Sequence, residues 1–484
     1  MLYKYATKVT IFFDIQHHDN IHATKIYFFA NFAPQTTIDM NREILRLAIP
    51  NIISNITVPL MGIASTIIAG HACSGEGKLA IGALSIGVSI FNFIYWNCSF
   101  IRMGTSGLTA QAFGANNHKE YTLMLWRALI VALGLGILAL LLQYPIGEFS
   151  IDFMGMESEH ANHMIADYFY TRIWAVPAGI MLFAFNGWLT GMQNAVLPMA
   201  VAILVNTLHI AGSYLFAIVG DMGLQGIALA SVVAQWSGVA VIALAIWLKY
   251  RKHIVRVALK EIVDMGAMKR FFAINGDIMI RTFCLVAVYT FFTKASADTG
   301  DDTILAVNAI LLQLFTLFSY MNDGLAFAAE ALTGRFIGAR DVVSLRRCIR
   351  LCVIWSFVVS FVYAGAYIGW WQDIFTLLVN PEQDDVAALI ATAGDYIGWI
   401  IAIPIASALP FILDGIMVGA TRSRIMRNSM VLSTIIYFAI LYGLSDLIGN
   451  NAIWMAFTMF MFVRGLFQYF MSDRLRSIYH EAER

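Results

Sequence analysis

The 484-residue chain is predicted to be an all-α integral membrane protein, with twelve transmembrane helices in two six-helix lobes related by a parallel internal repeat. Three observations predict it: an apolar excess, apolar runs of bilayer length in regular order, and a set of segments that recurs in the second half. Hydrophobic residues make up 59% and charged residues 13%, whereas a soluble domain is nearer half and a quarter, so the surplus needs a nonpolar solvent. Mean hydropathy is +0.71. Lys plus Arg equals Asp plus Glu at 31 each, so no nucleic-acid-sized basic field exists and the information lies in how charge is distributed.

Residues 1–39 read as an N-terminal extension, either a mobile tail or a mis-assigned start, because MNREILRLAIP at Met40 changes abruptly into a charged helix start. A metal-binding reading of His17, His18 and His22 is weaker than that of a tail, and no apolar stretch with a cleavage site marks a signal peptide. From residue 40, apolar runs follow at about 45–69, 81–103, 121–143, 165–190, 198–219 and 224–248, then at about 275–293, 304–333, 348–370, 387–419, 428–446 and 452–471. The first lobe is thus expected over 40–248, a basic linker over 249–270, the second lobe over 271–471 and a tail over 472–484. The linker carries Lys249, Arg251, Lys252, Arg256, Lys260, Lys269 and Arg270, which by the positive-inside rule makes it cytoplasmic. Basic residues also follow the even-numbered spans, whereas the odd-numbered ones are followed by acids such as Glu148, Asp152, Asp298, Glu382, Asp384 and Asp385, so both termini are expected inside the cell. Cys73, Cys98, Cys284, Cys348 and Cys352 show no metal or disulfide spacing and read as packing residues.

Leu108–Ala115 (LTAQAFGA) aligns with Leu332–Ala339 (LTGRFIGA) at an offset of 224, and Asn186–Gly191 aligns with Asp414–Gly419 at 228. Asp167-Tyr168 pairs with Asp395-Tyr396 at the same 228. Each match falls at the same helix number of its half, so the halves are two copies of one unit. Six is even, so both copies enter the membrane from the same side, as in alternating-access carriers with a cleft between the lobes.

Ionisable groups in hydrocarbon are costly, so each is a functional candidate. Asp323 and Glu330 lie seven apart on one face of the eighth span, which also carries Asn308 and Gln313; a pairing of Glu330 with Arg335 or water is its structural alternative. Asp277 and Arg281 are four apart and expected to form an ion pair. Asp414 stands where the other repeat has Asn186, Asp167 and Asp395 are read as helix-end caps, and His209 is deep in the fifth span. Pro59, Pro177, Pro404 and Pro410 mark bends. Aromatics such as Tyr95, Trp96 and Phe183 suit an adaptable cavity, although lipid-facing rings give the same composition. The spans offer few basic residues beyond Arg172 and Arg281, which favours cationic or neutral cargo.

Ile49–Gly62, Phe100–Ala115, Ala306–Leu311 and Asp323–Ala331 together resemble the multidrug and toxic compound extrusion (MATE) family, in its DinF-like branch, over roughly 40–471. The resemblance implies a two-lobed inner-membrane antiporter exporting organic compounds in exchange for H⁺ or Na⁺. It also implies a departure: Ser65 occupies the position of the family's usual first-helix acid, and His209 and Ser213 stand where its fifth helix carries Asn and Asp. Coupling is therefore expected in the second lobe, with Asp323 leading and Asp277, Glu330 and Asp414 behind it, or else at His209.

The alternative carrier reading is a flippase for a lipid-linked or amphipathic substrate, which needs a basic cleft for diphosphate. A membrane enzyme is disfavoured because no HExxH, GxSxG or His cluster lies within the spans. The expected partners are a small organic substrate and a bacterial inner membrane, with no nucleic acid, obligate protein partner, metal or cofactor beyond the coupling ion.

Overall fold

A computed structural model describes residues 37–72, 76–376, 378 and 386–483. The His17, His18 and His22 cluster, Cys73 and the acids Glu382, Asp384 and Asp385 lie outside the described residues. Ile44–Arg484 forms one compact unit, and Met1–Glu43 forms another, described only from Thr37 as a helix.

Among the described residues twelve helical spans are long and apolar enough to cross a membrane: α1 Asp39–Ala72, α2 Gly77–Gly114, α3 His118–Leu141, α4 Glu159–Gly191, α5 Val196–Val219, α6 Gly223–Tyr250, α7 Met265–Ala297, α8 Asp302–Gly338, α9 Val342–Thr376, α10 Val386–Gly419, α11 Ser423–Ile448 and α12 Asn450–Met471. Their number and order are those read from the apolar runs, and no strand occurs among the described residues. The α5 span ends in a π-helical turn, Tyr214–Val219, directly after Ser213. In α4 a 3₁₀ turn at Ile173–Ala175 precedes Pro177, while Pro59 lies within α1 and Pro404 and Pro410 within α10. Asp167 and Asp395 cap nothing: both are exposed in the interior of a helix, which corrects the reading of them as helix-end caps.

The repeat is visible in the contacts. At Gly187 the Arg102 carbonyl leaves no room for a Cβ, and at Gly415 the Ala326 carbonyl does the same. Gly191 packs on Ser106 and Thr109, and Gly419 on Glu330 and Thr333. Every partner is displaced by the 224 or 228 read from the sequence. The left-handed turns repeat as well, with φ of 52° at Asn116 and 57° at Arg340, and of 60° at Gln193 and 53° at Thr421.

Gly114 meets the Arg335 carbonyl and Gly338 meets the Gln111 carbonyl, so the two copies of the motif pack on each other reciprocally between the lobes. With small residues at the crossing the backbones touch, and side-chain amides bridge what remains. Gln111 Nε2 donates to the Gly419 carbonyl at 2.9 Å, and Gln193 Nε2 donates to the Ala331 carbonyl at 2.7 Å. The lobes are thereby closed at the linker-bearing end.

One buried apolar core draws on α1–α6 and also takes Phe271 from the start of α7, while another belongs to α7–α12. The linker is strapped to α3 through the buried Arg127, which donates to the Ile262 and Glu261 carbonyls at 3.1 and 3.0 Å. Cys348 and Cys352 are buried with sulfurs 3.9 Å apart, too far for an S–S bond.

Candidate functional site

Above the closed floor a cavity of about 660 Å³ separates the lobes, with walls from α1, α2, α4, α7, α8, α10 and α12. Most of its wall is apolar or aromatic, including Tyr95, Trp96, Phe183, Tyr289, Tyr320 and Phe411. Six charged side chains reach it: Arg102, Arg281, Arg464, Asp323, Glu330 and Asp414. A drug-sized molecule fits that volume, and sparse polar groups on an apolar wall set its orientation.

Five of the six charges are in ion pairs, three guanidinium groups on two carboxylates. Asp414 Oδ2 accepts from Arg281 Nη2 at 2.5 Å and lies 3.3 Å from Arg464 Nη2, while Gln468 Nε2 donates to its Oδ1 at 2.5 Å. Glu330 is 1% exposed and faces Arg102 of the other lobe at 3.8 Å; this is where it pairs, not with Arg335. That separation is an ion pair but too long for a hydrogen bond. The Arg102 guanidinium also stacks 3.9 Å above the Phe327 ring. Asp323 is the exception: among the described residues it makes no hydrogen bond or ion pair, although Arg281, Arg102 and Arg464 act on it electrostatically.

The other expected candidates divide. Gln313 lines the cavity, and so does Asn308, whose amide is fully engaged. Asn308 Nδ2 donates to Asn450 Oδ1 at 2.6 Å and to Ser296 Oγ at 2.8 Å, while its Oδ1 accepts from Trp454 Nε1 at 2.8 Å. Asp277 does not pair with Arg281. It accepts instead from Arg427 Nη1 at 2.6 Å and Ser423 Oγ at 2.7 Å, fastening α7 to α11 away from the cavity. Partners on neighbouring helices took both members of that i, i+4 pair.

In the first lobe, His209 joins the positions singled out by the resemblance. Its Nε2 lies 3.0 Å from Ser65 Oγ and its Nδ1 lies 3.2 Å from Ser231 Oγ, at 5% exposure. The Ser213 hydroxyl is buried without a partner among the described residues. None of these residues lines the cavity.

Arg102 and Arg464 were missed, so the expectation of few basic residues in the spans is corrected. Arg464 interrupts the apolar run FMFVRGLF, and that interruption was the available signal. Arg172, by contrast, is off the cavity, bonded to Tyr168 and 4.8 Å above the Phe91 ring.

Comparison with known proteins gives the family and the fold. The MatE family model matches residues 50–215 and 279–442, one stretch in each lobe. DNA damage-inducible protein F of Escherichia coli is 32% identical over 426 residues, covering 88% of this chain and 90% of that protein. A protein of Caulobacter vibrioides described as a "Probable multidrug resistance protein NorM" is 26% identical, covering 88% and 86%. The solved structure of a MOP superfamily transporter from Pyrococcus furiosus superposes with a TM-score of 0.79 at 18% identity, covering 91% of this chain and 97% of that one.

Proposed function

The chain belongs to the MatE family of multidrug and toxic compound efflux transporters, and from that premise we propose that it is an antiporter that takes organic cations out across the bacterial inner membrane in exchange for H⁺ or Na⁺. The observation that carries this reading is Asp323, an unpaired carboxylate on the wall of a largely apolar cavity with several aromatic rings. A cationic cargo supplies the charge Asp323 lacks, and the aromatic rings bind its apolar and cationic faces. An entering H⁺ or Na⁺ supplies the same charge. Cargo and coupling ion therefore compete for one carboxylate, and that competition is the exchange.

The closed floor supports alternating access as the mode of transport: outward release would need the cavity open opposite the linker, and uptake would need the α2–α8 contact to part. The basic linker supports a cytoplasmic position for that end and for both termini. The flippase reading is less well supported, because all three cavity arginines are held in ion pairs with Asp414 or Glu330, which a diphosphate would have to displace.

The test is efflux of a fluorescent organic cation from liposomes carrying the protein, under an imposed pH gradient and separately under a sodium gradient. Flux is expected under one of them, and Asp323→Asn is expected to abolish driven flux while leaving folded protein in the membrane. Undiminished transport by Asp323→Asn would falsify the assignment of Asp323.

A further inference from the structure

Three arginines are buried among the described residues, and two of them are in ion pairs: Arg127 with Glu120 at 3.2 Å and Arg464 with Asp414 at 3.3 Å. Arg172 is the third, 8% exposed and about 20 Å along α4 from Glu159, and no acid pairs with it among the described residues. A guanidinium carries five N–H donors and cannot be deprotonated in a protein. Nη1 donates to Tyr168 Oη, Nε is fully covered without a partner, and no other N–H of the group has an acceptor among the described residues. Because the Tyr168 oxygen accepts that bond, its own proton is left to donate, and it too meets no acceptor among the described residues.

The group is held in place rather than free to reach water. Its face lies 4.8 Å above the Phe91 ring, and Phe91 meets the Tyr168 ring edge-on at 6.2 Å. Tyr168 is itself pressed on Gly87, where a Cβ would stand 2.5 Å from its ring. The rings cover the face of the guanidinium and leave the donors at its edge unanswered. Arg172 acts electrostatically on His209 and on Tyr95, and the partners of both are neutral: Ser65 and Ser231 bracket His209, and Tyr95 Oη donates to Gln235 at 3.1 Å.

The internal repeat shows that packing does not call for this charge. By the offset of 228, Tyr168 corresponds to Tyr396 and Arg172 to Ile400, which is 1% exposed in the second lobe. Where one copy of the helix buries hydrocarbon the other buries a cation, and a buried charge without a counter-ion is far costlier than an apolar side chain. A positive charge, donors in its plane and a hydroxyl proton, all without acceptors, call for an anion. We propose that Arg172 and Tyr168 are the donors of a site within the first lobe for a small monovalent anion, chloride or a carboxylate. One guanidinium matches one negative charge, and Tyr95, within its electrostatic reach, belongs to the wall of the central cavity. Such a site stands without any export activity and is tested without it.

The test follows chloride NMR line broadening by purified full-length protein in detergent, with gluconate holding the ionic strength fixed. Bound chloride broadens the line, and the parent is expected to give excess broadening that bromide displaces. Arg172→Gln is expected to lose it, and Tyr168→Phe to bind about tenfold more weakly, since one hydrogen bond to a charged ligand is removed. Arg251→Gln removes an exposed charge at the linker and is expected to broaden the line as the parent does. Competition separates the two sources of the anion: acetate displacing chloride at similar concentration assigns the site to a carboxylate, whereas displacement by bromide alone assigns it to an inorganic halide. No excess broadening by the parent, or equal broadening by the parent and Arg172→Gln, overturns the proposal. So does an equal loss in Arg251→Gln, which marks a general effect of surface charge. If Arg172→Gln fails to fold, Tyr168→Phe gives the comparison, and binding as tight as the parent's overturns the proposal.

Discussion

At Asp414 one carboxylate holds two guanidinium groups, which decides how substitutions there behave. Asp414→Asn leaves Arg281 and Arg464 buried against each other with no anion between them, a loss of about 3–5 kcal/mol for a broken buried pair. Arg281→Gln leaves Asp414 with Arg464 and Gln468, so the loss is smaller. Thermal unfolding in detergent is expected to rank Asp414→Asn well below Arg281→Gln; the reverse order would mean that the arginines are solvated there. His209 makes a second contrast. Ser65 Oγ and Ser231 Oγ also lie 2.9 Å from the Met61 carbonyl and 3.2 Å from the Ile227 carbonyl, and a neutral ring takes one of these two hydroxyl protons at its acceptor nitrogen, so the imidazole is bracketed by neutral hydroxyls and no carboxylate. Glutamine replaces such hydrogen bonds without a charge, and His209→Gln is expected to keep the pH dependence of export that Asp323→Asn loses. A pH profile flattened by His209→Gln and preserved by Asp323→Asn would move coupling to the first lobe. Asp323 was legible because an acid in an apolar run is conspicuous whatever the fold. The partner of Arg281 was not, since i, i+4 spacing reports only the same helix and Asp414 arrives from another.

Glycines at helix crossings carry the next level of organisation. Gly114 and Gly338 each lie against a backbone carbonyl of the other lobe, and backbone cannot swing aside as a flexible side chain does. Gly134 in α3 has nothing within 4 Å of where its Cβ would be. Gly134→Ala is therefore expected to be neutral or to gain about 0.5–1 kcal/mol from helix propensity. Gly114→Ala and Gly338→Ala should instead wedge α2 from α8. The expected readout, in a background without native cysteines, is faster labelling of a cysteine at Ala110 by an impermeant thiol reagent from the linker side. Unchanged labelling would show that the contact yields without opening. The twelve spans and the repeat were legible because span length and the recurrence of LTAQAFGA as LTGRFIGA are properties of the chain alone. Nothing local revealed that the two copies of this motif pack on each other, because reciprocity belongs to the assembled lobes.

Across the whole molecule the two cores meet through few side chains at the linker-bearing end, and these meetings are what a carrier cycle must break and remake. Gln111 of the first lobe lies 3.4 Å from Thr421 Oγ1 of the second, besides bonding the Gly419 carbonyl. The apolar cores lie largely within each lobe, so the halves can move as rigid bodies about such contacts. Cysteines at Gln111 and Thr421, joined by a short cleavable bifunctional reagent, would hold the floor shut while leaving the cavity and Asp323 untouched. If export proceeds by alternation of the lobes, the joined protein is expected to bind a fluorescent cation yet carry none across the liposome membrane, and cleavage of the bridge is expected to restore flux. Full transport with the bridge intact would mean that cargo passes without the α2–α8 contact parting, which would remove the lobes from the mechanism and leave the cavity as a channel mouth.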